Sequence, residues 1–365
     1  MELCGQHETL ILSVNTAFAL LSRIPARTLV ERYGTRNIAI FGTLLYLTGT
    51  IGTGFACNFM TLLALYGIIA GLGLGIIQIP FQISLNSYFH VQKSVVIRLS
   101  LAFRTLGLAL MPFVYTTLTN SYDIQNSMLL VGGVSMQILW LSFLLQPVEW
   151  HKKNCNNDDY CLDVQPILVK PTNLIKKLNI FGMVCCAFAD ISFSTLLPLI
   201  LFDLDFNRNQ VANFMFVMYL VNSFSKFLVL IIGDFTKMST KTKLLYSCIG
   251  IIVARSSLVY FCKPDDYVAV AFLLGIAKAS TTVHWLAYLS DNTSGITENL
   301  LMVGTGCSIL LGGPTLGYLK NATGNYLITN HIFNFLTGVS VLLWIAHSVY
   351  ARFKRIQQSH IYLST

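Results

Sequence analysis

The stretch YGIIAGLGLGIIQIPFQISLNSYF, residues 66–89, runs through a basic hinge, HVQKSVVIR (90–98), into LSLAFRTLG (99–107). Its apolar part has the length needed to cross about 30 Å of hydrocarbon. Gly67, Gly71 and Gly75 recur every four residues and so mark one stripe of a helix. Lipid supplies no hydrophobic force between helices, so small residues on one stripe are what let two backbones close up. Pro80 removes a backbone donor near the far end, which a membrane helix tolerates where neighbours or a polar cavity satisfy the freed carbonyl. The stretch predicts an internal helix of a membrane bundle, with the glycine stripe given to packing.

Composition agrees. A chain of 365 residues that is 54% hydrophobic and 11% charged, with a mean hydropathy of +0.64, has more apolar surface than a water-soluble domain of that size can hide. The net charge of +8 raises the question of nucleic acid. The Lys and Arg residues instead fall in short clusters between apolar runs, as a positive-inside bias places them. No nucleic-acid partner is expected. The nine cysteines follow no metal spacing, Cys155 and Cys161 of the CNNDDYC loop included, and read as reduced structural residues. There is no phosphate loop, metal-ligand cluster or nucleophile elbow, so neither an enzyme nor a cofactor is expected.

Apolar stretches of spanning length recur at 9–29, 37–57, 59–84, 95–118, 125–146, 177–202, 210–233, 244–262, 266–289, 297–318 and 326–349. They predict an all-α multi-pass membrane protein of about eleven helices. The longest polar interval divides it into an N-terminal helical lobe (1–146), a central loop (147–176), a C-terminal six-helix lobe (177–350) and a tail (351–365). The opening residues, MELCGQHE, lack the basic region of a cleavable signal. With the first span running inward, Arg27, Arg32, Arg36, Lys93, Lys152, Lys153, Lys170, Lys176, Lys177, Lys237, Lys241, Lys243, Arg352, Lys354 and Arg355 share one side, against Arg208, Lys263 and Lys320. That asymmetry predicts an external N-terminus, a cytosolic central loop and a cytosolic tail. The sequons at Asn292 and Asn321 are expected to stay unused, one cytosolic and one too close to the membrane.

A faint repeat links the halves. LVERYGTR (29–36), with Glu31, Arg32, Gly34 and Arg36, has its counterpart in IIGDFTKMSTK (231–241), with Asp234. Each sets an acid before basic and small residues where a helix leaves the membrane. Duplicated halves around a central cavity are a common plan of secondary transporters.

Together with the 66–107 stretch and GGPTLGYLKNATGNY (312–326), these motifs resemble the monocarboxylate transporter family of the major facilitator superfamily. The resemblance covers nearly the whole chain. It is strongest, without gaps, from Tyr33 to Gly107. It implies a major facilitator-like two-lobe bundle, here without the first helix of the family's twelve and the signature that helix carries. It also implies carriage of monocarboxylates or related small organic anions by alternating access, with proton symport in view. A plasma-membrane address and a single-span immunoglobulin-like ancillary glycoprotein are implied as well.

Charged residues inside spans are the candidate site. Each costs about 2.5 to 3.5 kcal/mol at a helix centre and usually faces protein or water. Arg104 lies eleven residues beyond Lys93, and Lys226 eleven before Lys237, which puts both about 16 Å deep. Two cations from different halves at one depth could hold an anion between them. The family's eighth span carries an aspartate, then an arginine four residues on. Counted back from Asp234, the resemblance puts Asn222 and Lys226 at those places. Lysine attracts a carboxylate without arginine's bidentate fork, and asparagine cannot take a proton.

Asp190 and His284 are the other titratable candidates for a proton or ion-pair role, His284 also reading as a packing histidine. Asp190 is in addition a candidate partner for Lys226. Lys278 is deep enough to line the cavity. Arg23, Arg27 and Arg98 read as interface anchors, and Arg255 is left open. The alternative function is a transport-incompetent, truncated relative acting as a binding or assembly partner.

Overall fold

The computed structural model describes residues 5–89, 93–145, 174–235, 238–263, 267–292 and 295–364; they are helical apart from short turns, with no strand among them. The predicted central loop lies almost entirely outside the described residues, and with it Cys155 and Cys161. The helices are α1 (Gly5–Leu21), α2 (Arg23–Tyr33), α3 (Thr35–Thr53), α4 (Phe59–Leu62), a π-helical segment (Leu63–Ala70), α5 (Gly71–Tyr88), α6 (Lys93–Ser121), α7 (Ile124–Ser135) and α8 (Gln137–Leu144). They continue as α9 (Leu174–Asp203), α10 (Arg208–Phe235), α11 (Thr240–Phe261), α12 (Tyr267–Asn292), α13 (Gly295–Thr323) and α14 (Leu327–Ser364).

Among the described residues, ten helices are long and apolar enough to cross a membrane; α1 and α2 form one of them, as do α4 to α5 and α7 to α8. α3, with 19 residues, is a further helix of spanning length. Its threonines lower its hydropathy, but Thr43, Thr48, Thr50 and Thr53 each donate to a carbonyl of their own helix, which hides the hydroxyls from lipid. Gly34 separates α2 from α3 at φ +82°, a conformation that favours glycine, and its N–H closes on the Val30 carbonyl at 2.8 Å. α14 does not stop at 350. It runs on through the predicted tail, where ARFKRIQQSHIYLS offers neither Gly nor Pro to end it.

Most of α1 to α8 pack among themselves, as do most of α9 to α14, but α1 lies chiefly on α13 and α6 on α10, and these two seams join the groups. α10 and α13 are the second and fifth helices of their group. By contact α1 therefore answers to α10 and α6 to α13, which is the pairing that duplicated halves require. α9 has no counterpart among the described residues.

The 66–89 stretch sits where its glycines predict. Asn15 of α1 donates to the Tyr66 carbonyl at 2.6 Å, beside the π-helical turn. One and two turns further on, α1 lies so close that side chains at Gly71 and Gly75 would strike the Asn15 backbone and the Ala19 carbonyl. Gly75→Ala is therefore expected to destabilise the protein by about 1–3 kcal/mol through overpacking. Gly107→Ala, where a methyl meets nothing within 4 Å, is expected to be neutral or slightly stabilising. Thermal unfolding in detergent or nanodiscs checks the pair, and equal melting temperatures would refute the packing role.

Candidate functional site

The seam between α6 and α10 carries the site. α10 buries Val211, Ala212, Phe214, Met215, Met218, Tyr219, Asn222, Ser223, Ser225 and Lys226, a helical periodicity that turns Lys226 inward. α6 offers a stripe of small residues, Ala102, Thr105 and Ala109, all under 5% exposed. Such a stripe lets the two helices approach, and Phe113 meets Phe216 edge-on at 5.0 Å beside it. Across the seam Ser223 donates to the Ala102 carbonyl at 3.0 Å. The Lys226 ammonium donates to the Thr105 hydroxyl and reaches the Leu101 carbonyl at 3.5 Å.

Lys226 is thus 6% exposed between the two helix groups, held by neutral oxygens and facing no carboxylate among the described residues. Asn222, one turn earlier, is equally buried, and its Oδ1 accepts no hydrogen bond. Of the other predicted cations, Arg104 is exposed on α6 beside Thr105, close enough for its charge to act on Lys226 and on Arg23. Lys278 of α12 also acts on Lys226 and donates to the Ser194 hydroxyl.

Asp190 is not the partner of Lys226. Its carboxylate accepts Arg255 Nη2 at 3.1 Å, because α11 presents a fully buried Arg255 to α9. Arg255 also donates Nη1 to Thr337 at 3.1 Å and stacks its guanidinium 4.7 Å over Phe193. Ser194, held by Lys278, donates to the Asp190 backbone carbonyl at 2.5 Å. Asp190 therefore joins Arg255 and Lys278 within the C-terminal group.

His284 stands apart from these charges. Its Nδ1 faces the Ser247 hydroxyl at 2.7 Å and the Ser280 hydroxyl at 3.3 Å, a hydrogen-bonded position between α11 and α12. Arg23, expected as an interface anchor, turns inward instead: it donates to Gln78 of α5, and its Nε is buried without a partner. The LVERYGTR segment of the repeat lies away from the seam, with Glu31, Arg32 and Gly34 exposed and Arg36 half-buried. Asp234 lies on α10, and the side chains of Asp234 and Arg98 are outside the described residues.

Thr105, Ser223 and Gln78 were not legible as partners, since a neutral oxygen gives no signal of its own. A buried cation predicts only that some acceptor is near. A cavity of about 430 Å³ opens elsewhere, between α9, α13 and α14, lined by apolar residues such as Phe188, Leu316 and Leu336. At Lys226 itself α6 lies over the site.

With this geometry in hand, comparison with known proteins places the chain. The model of the Major Facilitator Superfamily matches residues 8–296. Monocarboxylate transporter 2 of Meriones unguiculatus is 30% identical over 120 residues, 33% of this chain and 25% of that protein. Human monocarboxylate transporter 14 is 29% identical over 147 residues, 40% and 28% of the two chains. Monocarboxylate transporter 9 of Gallus gallus is 27% identical over 137 residues, 38% and 27%. The chain thus matches about a quarter of the length of these curated relatives. Among solved structures, the inward-open xylose transporter XylE from E. coli superposes with a TM-score of 0.72 over 92% of this chain and 85% of its own, at 12% identity, a likeness of fold.

The Asp190–Arg255 pair makes a sharp expectation. Asp190→Ala leaves a buried guanidinium uncompensated and is expected to cost about 3 kcal/mol, whereas Asp190→Leu with Arg255→Leu recovers most of that loss. Thermal unfolding of both variants checks this, and a double variant no better than the single one would contradict it.

Proposed function

The chain belongs to the Major Facilitator Superfamily, and from that membership we propose that it carries a small organic anion, a monocarboxylate or a related acid, across a bilayer by alternating access to a site between its two lobes. Membership in this transporter family makes it a membrane protein and not an enzyme.

The observation that carries the reading is Lys226, a lysine ammonium buried between the lobes with no acid against it among the described residues. Removed from water, such a charge gains more from an anion than from the hydroxyl and carbonyl now holding it. Its surroundings repeat the point. Arg23, Arg104, Lys226, Lys278 and Arg255 each feel the charge of the next, while Glu298 acts on Arg23 and Asp190 on Arg255 and Lys278. This excess of positive charge favours a carboxylate over a neutral solute.

In the proposed cycle the substrate carboxylate takes the place of Thr105 and Leu101 on Lys226, and Arg104 and Lys278 add attraction from either side. Asn222 offers a buried acceptor one turn away for a donor group of the substrate. Proton symport belongs to the same proposal, with the titratable group other than Asn222, which cannot ionise. So do the plasma-membrane address and an immunoglobulin-like single-span companion, both supported by the resemblance to the monocarboxylate transporters.

The second reading, a non-transporting assembly partner, draws on α6. That helix leaves Phe103, Leu110 and Met111 at 50% exposure or more and packs more extensively on α10 than on its own lobe. One experiment separates the readings. Purified protein in liposomes is expected to take up labelled monocarboxylates, and Lys226→Ala is expected to lower uptake on the order of thirtyfold, from about 2 kcal/mol of lost contact. Lys226→Arg is expected to keep most of it. Failure of the wild-type chain to move any of a panel of aliphatic and aromatic monocarboxylates would leave the assembly reading standing.

A further inference from the structure

Counted along the chain, cations from three helices lie at one depth. Arg23 stands nine residues before Arg32, Arg104 eleven beyond Lys93 and Lys226 eleven before Lys237. At 1.5 Å per residue they are about 14, 16 and 16 Å from the side that carries those basic residues. Arg23 and Arg104 belong to the N-terminal group of helices and Lys226 to the C-terminal one. The first two are open where the third is closed: Arg104 is exposed and Arg23 half-buried, whereas Lys226 is covered by α6.

No acid of the protein is paired with any of the three among the described residues, where the ion pairs are Asp190–Arg255 and Asp203–Lys320. Arg23 donates to the neutral Gln78 oxygen, and its Nε is buried without a partner. That bond turns the oxygen of the Gln78 amide toward Arg23 and leaves its N–H groups to donate elsewhere.

Arg104 joins the two regions. It is next in the chain to Thr105, which holds Lys226, and its charge also reaches Arg23. With Lys278 and Arg255, five positive charges stand here against the carboxylates of Asp190 and Glu298, an excess of three among the described residues. A monocarboxylate leaves two of those charges uncompensated, and a dicarboxylate leaves one. Away from bulk water the repulsion among unmatched cations is large, so a second carboxylate on the same solute is favoured.

We propose, resting on the transport reading above, that the preferred substrate is a dianion: a dicarboxylate with one end at Arg23, Arg104 and the Gln78 amide and the other passed to Lys226. The two more open cations meet the solute first. As α6 parts from α10, the Lys226 ammonium exchanges its neutral oxygens for the second carboxylate, a stronger acceptor. The bound molecule then ties one lobe to the other. A monocarboxylate satisfies one end alone.

Uptake into liposomes by the full chain tests this, with mono- and dicarboxylates of matched chain length at a pH where every carboxylate is ionised. The best dicarboxylate is expected to show a KM on the order of tenfold below that of its monocarboxylate counterpart, as one charge-assisted contact supplies. Arg23→Gln is expected to remove most of that difference by raising KM for the dicarboxylate, and Arg23→Lys to keep much of it. Glu298→Gln deletes the acid that competes for Arg23 and is expected to widen the difference, a gain that misfolding cannot imitate. Uptake with equal KM for the two classes, or an Arg23→Gln variant that keeps the full preference, would overturn the dianion and leave the anion carrier in place. Uptake of neither class would overturn both.

Discussion

A lysine ammonium closed between two helix bundles is the constraint around which the rest of this molecule is arranged. Carried to the middle of a bilayer, such a charge costs about 2.5 to 3.5 kcal/mol on insertion scales. A hydroxyl and a carbonyl offset only part of that. The sequence near Lys226 is organised to tolerate it. Ala102, Thr105 and Ala109 bring α6 close enough for its oxygens to reach across, and Ser223 ties the same two backbones one turn away. The ammonium is protected from lipid and has no counter-ion among the described residues.

The C-terminal lobe treats its charge in the opposite way. Arg255 is paired with Asp190, bonded to Thr337 and covered by the Phe193 ring, so its charge is spent inside the protein. Lys278 stands between the two regimes, bonded to Ser194 next to Asp190 and near enough to Lys226 to repel it. An anion arriving at Lys226 would relieve that repulsion. Asp190 could not, because Arg255 already holds its carboxylate.

How much of this was legible in the sequence depends on what each residue signals. Apolar run lengths gave the spans, because hydrocarbon thickness leaves little choice, and the spacing of Gly71 and Gly75 gave a packing face, whose partner α1 only the structure shows. Depth counted from Lys237 gave the burial of Lys226. Partner choice was not legible. Asp190 suited Lys226 as well as Arg255 by charge, and only the reach of the Arg255 side chain from α11 to Asp190 decides between them. Arg23 was misread for a related reason: a basic residue near a helix end is usually an anchor, and nothing local shows that Gln78, 55 residues away, will turn it inward. The threonines of α3 lowered its hydropathy, yet their bonds to their own helix make the segment less polar than its composition.

The two seams between the lobes differ in what their separation costs. On the α1–α13 side, Gly306 and Gly313 accept Leu21 and Ser13 at a distance no larger side chain would permit. Parting such a surface exposes tightly packed backbone and loses dispersion contacts that water does not replace. On the α6–α10 side the contacts around Lys226 are hydrogen bonds from Ser223 and from the ammonium to neutral oxygens. Each of those can be exchanged for a bond to water or to a carboxylate at little net loss, and for the ammonium a carboxylate is the stronger acceptor. A motion that keeps the glycine seam closed and opens the polar one is therefore the cheaper of the two, and it uncovers Lys226 as it proceeds.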